Sequence, residues 1–104
     1  MGDRANVRVI DADSEVFLYT HWSGAELPKT VKSALAKRLR WSDGQYLARI
    51  IFCEMVKGAA SEETGYGITS VCGDGQGQII IVDVDDQTVT DYENKTVSFT
   101  EYTT

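Results

Sequence analysis

The chain has 104 residues, 42% of them hydrophobic and 25% charged, with a net charge of −6. This is the profile of one globular domain, and it excludes a disordered chain and a second core. The acidity also argues against general nucleic-acid binding, which draws its affinity from neutralising phosphates.

The sequence from Asn6 to Ile10 reads as a short strand with Val7 and Val9 on one face. "DADSE" turns the chain, and Val16 to Trp22 follows as the second strand of a hairpin. Both faces of that strand are rich in apolar groups, which places it inside a sheet. Tyr19 and His21 share one face, and Trp22 stands beside the only histidine of the chain. Such a group either closes a small core or walls a ligand site.

Pro28 fits the first turn of a helix. Leu27, Val31, Leu35 and Leu39 recur every fourth residue and predict a helix to about Arg40. Lys29, Lys32, Lys37 and Arg40 share its outer face, whereas Arg38 points toward the apolar arc. Arg38 there either snorkels outward or serves a buried anion. Ser42 and Gln45 form a capping box for a second helix, Gln45 to Lys57, which stops at Gly58. Its run "YLARIIFCEMV" is apolar nearly all round and predicts a buried helix, with Cys53 inert inside it. Arg49 and Glu54 lie about 140° apart on the wheel and do not pair.

"AASEET" reads as a loop, Gly65 to Cys72 as a strand, "GDGQG" as a hairpin turn, and "QIIIVDV" as a central strand. Thr88 to Tyr92 and Thr96 to Tyr102 complete the set, the last at a sheet edge. The fold expected is α+β: a mainly antiparallel sheet of five to six strands with two helices on one face, in the order ββααβββ. An edge strand leaves backbone groups unpaired, which predicts a homodimer through Thr96 to Tyr102.

Reaction signatures are scarce. One histidine and two cysteines without ligand spacing cannot build a familiar zinc site, and "DVDDQT" lacks the glycine and glutamate of a calcium loop. "GDGQG" precedes no helix, so it lacks the dipole of a phosphate loop. No metal or cofactor is expected. A Cys53–His21 pair is conceivable, but a buried helical thiol is a poor nucleophile. Glu54 on an apolar helix needs a partner, with Arg4, Arg8 and His21 the candidates. It is a structural ion pair, a polar anchor in a ligand pocket, or a general acid or base. Gly65 and Gly67 flank Tyr66 and permit close approach of a ligand or another backbone. No run approaches the roughly 18 apolar residues of a membrane span. "MGDRANVRVI" is too polar for a signal peptide, which points to the cytoplasm.

The combined pattern "MGDRANV", "VFLYTHWSG", "YLARIIFCEM", "ETGYGI" and "IIIVDVDDQTV" resembles a family of short, uncharacterised phage, prophage and bacterial proteins. The resemblance covers most of the chain. It implies an accessory factor acting inside the host bacterium, including inhibition of host defence. The matching stretches contain Arg4, Asn6, Tyr19, His21, Trp22, Arg49, Glu54, Thr64 and Tyr66; the acidic tail after Asp91 lies outside them.

The leading expectation is therefore a non-enzymatic protein that binds a small anionic, nucleotide-like ligand. Tyr19, His21, Trp22 and Tyr66 would stack on a base, and Arg4, Arg38 or Arg49 would hold phosphate, with Glu54 and Thr64 as further polar contacts. The alternative is a protein-binding inhibitor that meets a basic host surface with Asp83, Asp85 and Asp86. A small hydrolase using Glu54 and His21 is the third reading.

Overall fold

The computed structural model describes residues 2–59, 61, 62, 64–72 and 78–104. The predicted turn "GDGQG" lies outside the described residues. Strands β1 (Ala5–Asp11) and β2 (Ser14–Thr20) form a hairpin in which Val7 opposes Leu18 and Val9 opposes Val16. Helices α1 (Leu27–Ala36) and α2 (Gly44–Met55) follow, then β3 (Tyr66–Thr69), β4 (Ile79–Asp83), β5 (Thr88–Thr90), β6 (Thr96–Ser98) and a short helix α3 (Phe99–Tyr102).

The six strands make one sheet in the order β3-β2-β1-β4-β5-β6. β1 and β4 run parallel and every other pair is antiparallel. The expected α+β sheet is thus present, with β2 and β4 interior as their apolar character requires and β6 at an edge. All four strands read after the helices form, one more than the order ββααβββ counts, and a third, one-turn helix follows them. Alternation sorts the side chains. Val7, Leu18, Ile80, Val82 and Val89 face the helices and are buried, and α1 adds Leu27, Val31 and Leu35 to the same core.

Three local readings are corrected. Helix α1 ends at Ala36, not Arg40, because Arg38 and Arg40 both take left-handed backbone (φ 56° and 58°). The turn swings Trp41 back, where its Nε1 donates to the Leu35 carbonyl at 3.0 Å and its ring meets Phe99 edge-on at 5.3 Å. Leu39 is consequently left 53% exposed, and Trp41 occupies the core position that periodicity assigned to it. Arg38 serves no buried anion; it is exposed and lies over Trp41, 5.0 Å from the ring centroid.

At α2 the cap is Asp43, which accepts from the Tyr46 N–H at 3.3 Å, in place of Ser42. The helix begins one residue early because Gly44 is pressed against β1. Its N–H donates to Asp11 at 2.8 Å, and a Cβ there would stand 2.5 Å from the Asp11 Cβ. α2 is not buried all round: Gln45, Tyr46, Arg49 and Cys53 are exposed. Cys53 and Cys72 are both on the surface.

The last predicted strand breaks after Ser98. Ser98 caps α3 by accepting from the Glu101 N–H at 3.0 Å, which turns Phe99 inward to 1% exposure. The Tyr102 hydroxyl then donates to the Pro28 carbonyl at 3.1 Å and ties α3 to the start of α1. Burial, with the nearby Asp91 charge, pushes the Tyr102 phenol up and keeps it a donor. Phe99→Ala should lower stability by about 3–5 kcal/mol in urea denaturation, as expected for a buried aromatic. A loss below about 1 kcal/mol would show that α3 does not seal the core.

Candidate functional site

Tyr19, His21 and Trp22 meet at the end of β2, and their neighbours explain why. The Tyr19 hydroxyl and His21 Nδ1 are 2.9 Å apart, and the His21 and Trp22 rings meet edge-on at 4.6 Å. Two glycines let backbone pack on this pair. A Cβ on Gly2 would lie 2.5 Å from the His21 carbonyl oxygen, and one on Gly65 would lie 2.9 Å from the Trp22 ring. The His21 carbonyl accepts from Asp3 N–H at 2.8 Å, and the His21 N–H donates to the Gly65 carbonyl at 2.9 Å. His21 is thus a fastener between the N-terminal segment and the approach to β3. Trp22, 60% exposed, shields that joint on its outer side.

Asp3 is the other half of the fastener. Its carboxylate accepts from the Ala25 N–H at 2.7 Å and from Gln78 Nε2 at 3.0 Å, and its carbonyl accepts from the Gly24 N–H at 2.8 Å. The Tyr92 hydroxyl donates to the Gly24 carbonyl at 2.7 Å. Burial first, and then the Asp3 charge, push the Tyr92 phenol far above its ordinary range, so it stays a donor. Asp3 went unnoticed in the sequence because a lone aspartate near a terminus carries no pattern.

The sheet face away from the helices bears Asn6, Arg8, Phe17 and Tyr19, set by strand alternation and the β1–β2 register, and Arg4 immediately precedes β1. Arg8 is paired with Glu15 at 2.6 Å. Asn6 is fully buried, and neither polar atom of its carboxamide has a hydrogen-bond partner among the described residues. An amide in that state costs about 1–3 kcal/mol. Asn6→Val should therefore raise stability by about 1–2 kcal/mol in thermal or urea unfolding. A decrease would mean that the amide is satisfied in solution.

The opposite face holds a concavity. α2 packs over β1 and β2, and β3 lies beyond it, with Ile68 61% exposed. Between α2 and the β2–β3 edge runs a groove of about 400 Å³. Val16, Leu18, Ala48, Phe52 and Ile68 give it apolar walls, and Asp11, Glu15 and Arg49 bring charge to it. Asp11 is engaged by Gly44 and Glu15 by Arg8. Arg49 is exposed; its Nε points to Cys53 Sγ at 3.4 Å, and no carboxylate pairs with it among the described residues. The apolar run of α2 predicts a buried Phe52, and alternation along Gly65 to Cys72 leaves the surroundings of Ile68 open. Only the position of β3 at the sheet edge makes them groove walls.

The remaining candidates disperse. Tyr66 faces the helix side opposite Thr20 and packs on the core. Thr64 is exposed beside Gly65, and Arg38 lies on the α1–α2 connection. Glu54 takes neither arginine nor His21 as partner. Lys37 Nζ reaches its Oε2 at 2.8 Å and Lys57 its Oε1 at 3.8 Å. The hydrogen bond from Lys37 holds the Glu54 carboxyl below the usual range against the opposing effect of burial, with the Lys37 and Lys57 charges assisting. A lowered folded pKa contributes stability above the ordinary value of 4.5, lost as pH falls through the folded value. Glu54→Gln should cost about 0.2–1 kcal/mol at neutral pH, since Lys37 is half exposed, and the deficit should shrink once the pH passes below 4.5. Urea titrations across that range check it; a pH-independent deficit would count against the ion pair.

No group of three or more His, Cys, Asp or Glu side chains among the described residues could hold a metal ion, and no helix among them is long and apolar enough to cross a membrane. Family models, curated proteins and solved structures give no match to the chain.

Proposed function

We propose that this is a non-enzymatic binding protein whose ligand lies in the groove between α2 and the β2–β3 edge. The ligand class is small and anionic with a flat apolar body, as in a nucleotide. One observation carries this reading: a groove of about 400 Å³ with apolar walls, in which Arg49 has no carboxylate partner among the described residues while Asp11 and Glu15 are engaged elsewhere. That volume lies within the range of small-molecule sites, and a few polar groups on apolar walls are their usual lining. Phe52 and Ile68 offer surface to a ring, and Arg49 offers charge to an acidic group. Set in a phage-type accessory factor, such a protein would sequester a nucleotide signal of host defence.

The reading moves stacking away from Tyr19, His21 and Trp22, whose contacts are spent on the chain's own joint. The acidic-surface alternative draws less support. Asp85 accepts from the Ala12 N–H at 2.7 Å and Asp83 from the Asp86 N–H at 3.1 Å, so both serve turns.

Calorimetric titration with a panel of cyclic and linear nucleotides tests the proposal. At least one should bind, and Arg49→Glu should weaken it at least tenfold without altering thermal unfolding. Absence of heat across the panel, or binding untouched by Arg49→Glu, would sink it.

A further inference from the structure

The groove is open on the side of β3, and β3 is an edge strand with unusual exposure. Edge strands invite pairing with another chain, and natural proteins blunt them with lysine, proline or inward charge. Residues 64–72 contain no charged residue and no proline. In a chain of net charge −6, this stretch can meet its own copy without like-charge repulsion. It is also apolar at the surface: Ile68 is 61% and Val71 67% exposed, and Trp22, 60% exposed, sits against Gly65 at the start of the strand.

The other edge is guarded. β6 has three residues, is preceded by Lys95 and runs directly into α3. Its one apolar side chain, Val97, is partly buried opposite Val89.

We infer that the protein is a two-fold dimer joined by antiparallel pairing of β3 with β3 of a second copy, whose Ile68 closes the groove. The register supports this. Tyr66 and Ile68 share the helix side of the sheet, opposite Thr20 and Leu18. Self-pairing that keeps both helix layers on one side therefore sets Ile68 against Ile68 or Tyr66 of the second copy. Directly opposed residues bring their Cβ atoms to about 4.5–5.5 Å, close enough for the two side chains to pack. The two sheets become one, the exposed isoleucines cover each other, and each groove gains a wall. The functional meaning of that wall rests on the groove being the ligand site; the pairing itself does not.

Sedimentation velocity over the micromolar range tests the inference. The wild-type chain should run at twice the monomer mass. Ile68→Lys, at an exposed position, should run as a folded monomer whose unfolding no longer depends on protein concentration, and Val97→Lys should remain a dimer. Amide exchange on the wild-type chain needs no variant: protection across residues 66–69 should rise with protein concentration. A wild-type monomer at all concentrations, a dimer that survives Ile68→Lys, or protection independent of concentration would overturn the pairing. Titration with the nucleotide panel in the same samples separates the two ideas. A dimer that binds no nucleotide keeps the pairing and rejects the ligand, and a monomer that binds does the reverse.

Discussion

The fold hangs on the junction made by Asp3. Two residues before β1 begins, it engages the backbone of His21 and Gly24, the N–H of Ala25 and the side chain of Gln78. Gln78 in turn donates to the Arg4 carbonyl at 2.9 Å, and its own carbonyl accepts from the Asn6 N–H at 3.0 Å. The start of β1, the end of β2, the entry to α1 and the start of β4 are thereby fixed to one another. β1 and β4 form the sheet's parallel pair, joined by a long crossover, and parallel pairs lack the tight turn that sets a hairpin register. The Asp3–Gln78 contacts supply that register at the end where the strands begin. Loop-closure entropy opposes a contact spanning most of the chain, so several hydrogen bonds concentrated at one point are a physically sensible solution.

Much of this was legible where periodicity is strong. The hairpin, the two long helices, the interior positions of β2 and β4 and the α+β class follow from alternation and from the spacing of Leu27, Val31 and Leu35. What failed, failed for tertiary reasons. Leu39 continues the helical spacing, yet Trp41 supplies more apolar area and a donor for the Leu35 carbonyl, and the chain breaks its helix to place it. Val97 and Phe99 alternate like a strand, yet Ser98 is a good helix cap and Phe99 reaches the core better from a helical turn. The site was the least legible part. His21 and Trp22 stand out in the sequence because rare aromatics cluster there. Their partners are Gly2 and Gly65, which no spacing rule connects to them.

The acidity of the chain has a local origin. Asp3, Asp11, Asp43, Asp83, Asp85 and Asp91 each accept at least one backbone N–H in a turn, cap or crossing. Short strands joined by tight connections leave many backbone donors without ladder partners, and aspartate is well shaped to take them. The surface charge of −6 is then largely a by-product of turn chemistry, which weakens any argument from net charge to an acidic docking face. Charge is informative only where it lacks an internal task, and that condition singles out Arg49 among the charged residues of the groove.

The groove itself follows from a mismatch between layers. Two main helices and one helical turn must cover six strands, and α2 is centred over β1 and β2. Helices pack about 8–10 Å apart, so a pair covers only a few strands spaced at about 4.8 Å. The strand added beyond that cover, β3, brings Ile68 to a surface that α2 does not reach. A chain under no constraint but stability would place a polar residue there, since an exposed isoleucine on an unprotected edge favours association. Ile68 keeps an apolar side chain at that rim instead, 61% exposed. It is the one residue that belongs at once to the edge strand, the exposed apolar surface and the groove wall.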